Sequence, residues 1–251
     1  MKNIAYQTDL LAEHFSRHRV AWQQFYDSEK FVIDRLGLGS RHEVLDIGCG
    51  CGGLGLALKE RFGVVRYTGI EINAKAAATA MTLNRAATVI CGDVLSISQA
   101  ELRGRHFDAV FSLSCVDWNV QYTDMLEAAW RHVRPGGNLI STFRLSTEVG
   151  CSDLEQSHQF INFDGAHEGE RAAYVVLNAK ELLDQLARFN PEMVEAYGYW
   201  GQPSITAVTP YDTLCFAAFS IKKRVEGNER EIDYNLNLPV AILESIGLQA
   251  E

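Results

Sequence analysis

The stretch Glu43-Val44-Leu45-Asp46-Ile47-Gly48-Cys49-Gly50-Cys51-Gly52-Gly53 decides the fold. Apolar residues run through Val44–Ile47 into a turn carrying Gly48, Gly50, Gly52 and Gly53, and a helical segment opens at Leu54. Glycine has no Cβ, so the backbone can turn tightly and approach a ligand closely. A helix N-terminus aimed at such a turn supplies free N–H groups and partial positive charge. The combination predicts a nucleotide-type cofactor site. Gly48, Gly50 and Gly53 also satisfy G-x-G-x-x-G, which keeps an NAD(P)-dependent oxidoreductase open as an alternative.

Outward from that turn, strands and helices alternate. Tyr67–Ile72, Thr88–Cys91, Phe107–Leu113 and Asn138–Arg144 read as apolar strands, separated by helices over Leu54–Phe62, Ala74–Asn84 and Tyr122–Val133. Near-continuous apolar strands in a βαβα rhythm predict an α/β, Rossmann-like sheet, mostly parallel, with helices on both faces. Arg134-Pro135-Gly136-Gly137 reads as a turn before the strand at 138. Residues 1–40 show helical spacings ending at Gly37 and Gly39. Beyond Leu145 the rhythm breaks into a polar, aromatic-interleaved segment over 146–171. Ala172–Leu177 then reads as a strand, Asn178 as the N-cap of a helix to Phe189, and Met193–Trp200 and Leu214–Lys222 as closing strands. The expectation is one domain over 1–251. Its parts are a helical lid (1–40), a cofactor-binding core (41–145), a substrate-site insertion (146–171), closing strands (172–224) and a tail (225–251). The apolar stripe Leu238, Val240, Ile242, Leu243 and Ile246 in the tail suits docking on the core, or a homodimer.

The chain has 251 residues, enough for a full core without staples. Its net charge of −9 argues against a nucleic-acid surface. No run of about 18 apolar residues and no charged-then-apolar leader follows Met1, so neither a membrane span nor a signal peptide is expected. Six cysteines include no C-x-x-C pair, so no metal site is expected and a reducing cytoplasm is the better fit.

Two carboxylates give the turn its chemistry. Asp46 stands two residues before the first glycine, where it would repel a diphosphate and welcome an ammonium or sulfonium group. Glu71 ends the second strand, where a carboxylate can accept from both hydroxyls of a ribose. Asp93, in Gly92-Asp93-Val94 past the third strand, can accept from an adenine amine while Val94 packs the ring. With V-L-D-I-G-C-G-C-G-G (44–53), G-I-E-I (69–72), G-D-V (92–94), F-D-A-V-F-S (107–112) and V-R-P-G-G (133–137) in this order, the sequence resembles the class I S-adenosylmethionine-dependent methyltransferases, of small-molecule type. The resemblance covers roughly 40–145. It implies a seven-stranded sheet whose last strand is antiparallel, and S-adenosyl-L-methionine as cofactor. It also implies that Asp46, Gly48, Cys49 and Gly50 line the methionine moiety, Glu71 holds the ribose, Ile72, Asp93 and Val94 meet the adenine, and Ser112 and Leu113 close the pocket.

The methyl of such a donor is already activated, so the protein mainly aligns an acceptor, with a base only where the acceptor must lose a proton. Candidates for that base are Asp117, after the fourth strand, and His158 and His167 in the 146–171 segment. An N-P-P-Y signature of nitrogen-methylating members is absent after Phe111. With the acidic balance, this favours a small-molecule acceptor, at a hydroxyl or phosphate oxygen of a metabolite or glycan precursor, with no nucleic acid and no membrane. A catalytically silent cofactor-binding subunit, motivated by the apolar tail, is the reading from another class.

Overall fold

The computed structural model describes residues 5–97, 101–102, 104–227 and 230–248. The strands are β1 (Glu43–Ile47), β2 (Arg66–Glu71), β3 (Thr88–Cys91), β4 (Phe107–Ser112), β5 (Val133–Ser146), β6 (His158–Phe160), β7 (Arg171–Ala173), β8 (Leu177–Asn178), β9 (Met193–Gly201), β10 (Ala207–Val208), β11 (Leu214–Lys222) and β12 (Asp233–Asn237). The helices are α1 (Leu10–Phe15), α2 (Asp27–Asp34), α3 (Gly53–Phe62), α4 (Ala74–Leu83), α5 (Tyr122–Arg131), α6 (Ala179–Ala187) and α7 (Val240–Ser245). The main sheet runs β12-β9-β11-β5-β4-β1-β2-β3, with β8 added alongside β5. Strands β1 to β5 pair in parallel, and β11 is antiparallel to both its neighbours. This is a Rossmann-like α/β architecture, with nine strands in the main sheet among the described residues rather than the seven expected.

Alternation along the strands shows why both faces are covered. Leu45 and Ile47 of β1, with Val110 of β4, enter a core under α5 and α6. Val44, Ala109 and Phe111 enter a second core under α2 and α3. Successive side chains of a strand point to opposite faces, so an uninterrupted apolar strand needs a helical layer on each.

Three expectations are corrected. Arg134–Gly137 is not a turn ahead of a strand but part of β5. Its pairing with β4 jumps from Phe107↔Val133 to Ala109↔Asn138, and Gly136 at φ +76° absorbs the extra residues as an irregularity. The strand expected over 172–177 is divided: Arg171–Ala173 joins β6 and β10 in a small second sheet, while Leu177–Asn178 pairs with β5. The tail is more than a stripe. Its β12 pairs with β9 in parallel, and Leu238 and Ile242 are buried in this chain's own core. Among the described residues, no helix is long and apolar enough to cross a membrane.

Candidate active site

The β1–α3 turn is built by hydrogen bonds that only a glycine-rich backbone can make. The N–H groups of Gly48 and Cys49 both donate to Ile70 O, at 2.9 and 3.0 Å, drawing the turn onto β2. Gly48 and Gly50 hold φ of +71° and +54°, where other L-residues are strained. Cys49 tucks its thiol under Gly69, where a Cβ would sit 2.6 Å from its Sγ. Gly53 lies against the Arg19 carbonyl so closely that any Cβ would strike it.

Beside this turn lies a cavity of about 160 Å³. Of the residues proposed from the sequence, Asp46, Gly48, Cys49, Gly50, Glu71, Ile72 and Leu113 line it. Glu71 is only 8% exposed, and its carboxylate accepts from Gly50 N and Asn73 N, both at 2.8 Å. Burial raises its pKa, and those backbone donors pull it back. Asp46 is buried too, accepts from Tyr67 Oη at 2.5 Å, and is pushed up to about 7 by burial against the pull of Tyr67 and Arg19. The thiols of Cys49 and Cys115 are driven upward by burial, so they stay neutral walls.

Other expected cofactor residues stand elsewhere. Ser112 is wholly buried and does not line the cavity. Asp93 caps its own turn by accepting from Leu95 N at 3.0 Å, and Val94 is turned into the core with Leu45 and Ile47. Neither reaches the wall, because the Asp93–Ile97 turn curls that segment back on itself.

Further walls come mostly from the N-terminal region, 1–40, for which a lid was expected without these residues being named. Tyr6, Leu11, Phe15, His18 and Arg19 close the cavity from above. Tyr6 donates from its hydroxyl to Trp118 O at 2.6 Å, Asn73 Nδ2 donates to Tyr6 O at 2.9 Å, and Glu170 accepts from Gln7 N and Thr8 N. Asn73, the N-cap of α4, is the one such residue with a readable local signal, standing just before the alanine-rich helix.

A second cavity of about 820 Å³ adjoins the first and shares Leu11, Phe15, His18, Arg19, Ser114 and Trp118 with it. Among the base candidates, Asp117 lines it. Its Oδ2 lies 3.1 Å from Arg144 Nη1, its Oδ1 accepts no hydrogen bond from another residue, and burial raises its pKa against the pull of Arg144. Arg144, at the end of the expected strand, is buried and donates to Asp117 O at 2.7 Å. The histidines lie outside both cavities. His158 turns its Nδ1 to Leu154 O at 3.0 Å, and His167 turns its Nε2 to Ile205 O at 2.8 Å. Lys223 and Arg224 hold backbone carbonyls of Trp130, Val133 and Pro191.

Comparison with known proteins matches this frame. Residues 44–137 match a family model described as a methyltransferase domain. Over these residues the chain is similar to methyltransferase domains, the family its motifs resemble. It is 29% identical over 140 residues to 24-methylenesterol C-methyltransferase 2 of Oryza sativa subsp. japonica, covering 53% of this chain and 38% of the relative. It is 25% identical over 180 residues to the malonyl-[acyl-carrier protein] O-methyltransferase of Brevibacillus brevis, covering 65% of this chain and 63% of that one. The chain thus spans less than two thirds of either relative's length. Among solved structures, phosphoethanolamine N-methyltransferase 2 of Haemonchus contortus, in complex with S-adenosyl-L-methionine, superposes with a TM-score of 0.59 at 15% identity. That likeness covers 87% of this chain and 58% of that one. It bears on the fold alone.

Proposed function

We propose that this chain is an S-adenosylmethionine-dependent methyltransferase acting on an oxygen of a small-molecule acceptor. The observation that carries the reading is the junction of the two cavities. The glycine turn, Asp46 and Glu71 stand on one side, Asp117 stands on the other, and a shared rim lies between. The cofactor supplies an activated methyl group, and the chain's residues bind and orient. Glu71 accepts from the ribose hydroxyls with the lone pairs its backbone donors leave free. Asp46 faces the cationic end, and Ile72 packs the adenine. Within the second cavity Asp117 takes the acceptor's proton, and Arg144 holds its carboxylate in place.

The acidic balance of the chain supports a small acceptor over nucleic acid. With Leu238 and Ile242 already buried within the chain, the tail serves the fold rather than a homodimer. Six free thiols suit a reducing, cytoplasmic setting. Calorimetry with S-adenosylhomocysteine tests the reading: micromolar binding is expected, abolished by Glu71→Arg. Binding of NADH with no response to S-adenosylhomocysteine would overturn it in favour of the oxidoreductase. Sound cofactor binding without turnover on a broad acceptor panel would favour the silent subunit.

A further inference from the structure

We propose that the second cavity takes an uncharged aromatic compound carrying a ring hydroxyl, its ring among Phe15, Trp118, Phe160 and Phe216 and its hydroxyl toward the Asp117 carboxylate. The assignment rests on reading the first cavity as the methyl-donor site, and it goes further by naming the acceptor's chemistry.

The charges in the wall come first. Arg19 is held by both oxygens of Glu29, at 3.1 and 2.8 Å. Arg144 is held by Asp117, and its guanidinium lies 3.8 Å from the Tyr174 ring centroid. His14 is stacked between Phe163 and His18, with ring centroids 3.7 and 4.1 Å away, and burial and His18 both lower its pKa. The described lining contains no lysine. A phosphate or carboxylate would therefore meet arginines already paired and the carboxylate of Asp117. An incompletely paired charge taken out of water is expensive. A neutral acceptor avoids that cost.

The shape comes second. At about 820 Å³ the cavity lies in the range that holds ligands of drug size. Its aromatic faces suit a flat ring, which stacks in offset or edge-on geometry.

The third observation is the Asp117 carboxylate. The residue is 6% exposed and lines the cavity; its Oδ2 meets Arg144, and its Oδ1 is buried with no hydrogen bond from another described residue. A hydroxyl donor entering beside it, with a turn of the side chain, satisfies the carboxylate. The proton then decides between hydroxyl types, since a phenol gives one up near pKa 10 whereas water holds one to about 15.7. A carboxylate raised by burial approaches the first far more closely than the second. In the transfer, a lone pair of the ring oxygen forms the O–CH₃ bond as the C–S bond breaks. The bonding pair goes to sulfur, which becomes an uncharged thioether, and the hydroxyl proton goes to the Asp117 carboxylate.

The test is calorimetry on the full chain with 2-naphthol and 2-naphthyl phosphate, each with and without saturating S-adenosylhomocysteine. Binding of 2-naphthol at least tenfold tighter than its phosphate is expected. Asp117→Asn releases Arg144 and should invert that order, which a purely structural role for Asp117 would not do. Phe160→Ala, on a half-buried strand position, should weaken 2-naphthol at least fivefold while leaving S-adenosylhomocysteine within twofold. Equal or tighter binding of the phosphate to the wild-type chain would overturn the inference, as would no binding of 2-naphthol or an unchanged order in a folded Asp117→Asn. Absence of S-adenosylhomocysteine binding would instead sink the donor reading, with the naphthol comparison in the free chain still deciding this one.

Discussion

Asp46 should make cofactor binding proton-linked. Burial pushes its carboxyl up to about 7, with the Tyr67 hydroxyl and Arg19 pulling the other way and Glu71 and Glu29 adding to the rise. In the free protein the group is therefore close to half protonated at neutral pH. A ligand that sets an ammonium beside it binds the ionised form and must expel the remaining proton. Below pH 7 this costs up to tenfold in affinity per pH unit, or about 1.4 kcal/mol. Between pH 8 and pH 5.5 the expected loss is roughly 30-fold, about 2 kcal/mol. Titration of S-adenosylhomocysteine by calorimetry, in two buffers of different ionisation enthalpy, reads both the affinity and the protons released. His18 and Glu71 share the wall and are retained in Asp46→Asn, so the difference between the two proteins isolates Asp46. The unliganded fold should show the opposite trend. A carboxyl whose folded pKa exceeds its unfolded value contributes stability that is complete below the unfolded pKa near 3.8 and is lost as pH rises toward 7. The reasoning is refuted if wild-type affinity changes less than threefold over this range with no proton release, or if Asp46→Asn keeps the same slope.

Gly53→Ala should be destabilising although it places a better helix former in α3. Its Cβ would strike the Arg19 carbonyl and come within 3.1 Å of Val20 Cα, both backbone atoms that cannot swing aside. Overpacking of this kind costs about 1–3 kcal/mol, against a gain of at most about 1 from helix propensity. Denaturant unfolding should show a net loss with weakened S-adenosylhomocysteine binding, and unchanged stability would refute the close approach. His158→Ala and His167→Ala should each keep turnover within about threefold of wild type, since neither ring reaches either cavity and a positioned base is worth about 10²–10⁴-fold. A hundredfold fall in kcat with unchanged cofactor affinity for either variant would restore it to the mechanism.

The parts of the fold that were legible are those where one chemical pattern maps to one local geometry. The glycine turn, β1, β2, α4 and the helix capped by Asn178 all follow from periods, caps and backbone freedom within a dozen residues. Arg134-Pro135-Gly136-Gly137 misled because a turn and a bulge use the same residues. Only pairing with β4 distinguishes them. For β12 the run Asp-Tyr-Asn-Leu-Asn is mostly exposed, so it carries no buried period to read, and the edge of β9 recruits it through backbone bonds. The cofactor-side residues of β1 and β2 were legible from motif order. Tyr6 against Trp118 was not, since 112 residues separate them and nothing local marks either. The burial of Arg144 was not legible, because an arginine in a strand normally reaches solvent. Here the strand is central, and Asp117 on the neighbouring loop makes its burial tolerable.

Backbone strain falls at the same junction. Among the described residues, Arg19, Ser114 and Asn190 hold positive φ without being glycine, and the first two both stand on the rim shared by the two cavities. Such conformations cost of order 1–3 kcal/mol each and persist only where the surroundings over-determine them. At Arg19 the bidentate grip of Glu29 does so, together with the close seat of its carbonyl on Gly53. At Ser114 the backbone N–H is fixed by Thr142 Oγ1 at 2.6 Å. Glycine would accept either geometry without strain, but it would surrender the guanidinium at one position and the hydroxyl at the other. The strain thus sits where a donor in one cavity would have to meet an acceptor in the other. It connects the sequence's most regular feature, the glycine turn through Gly53, to the least regular segment of the fold.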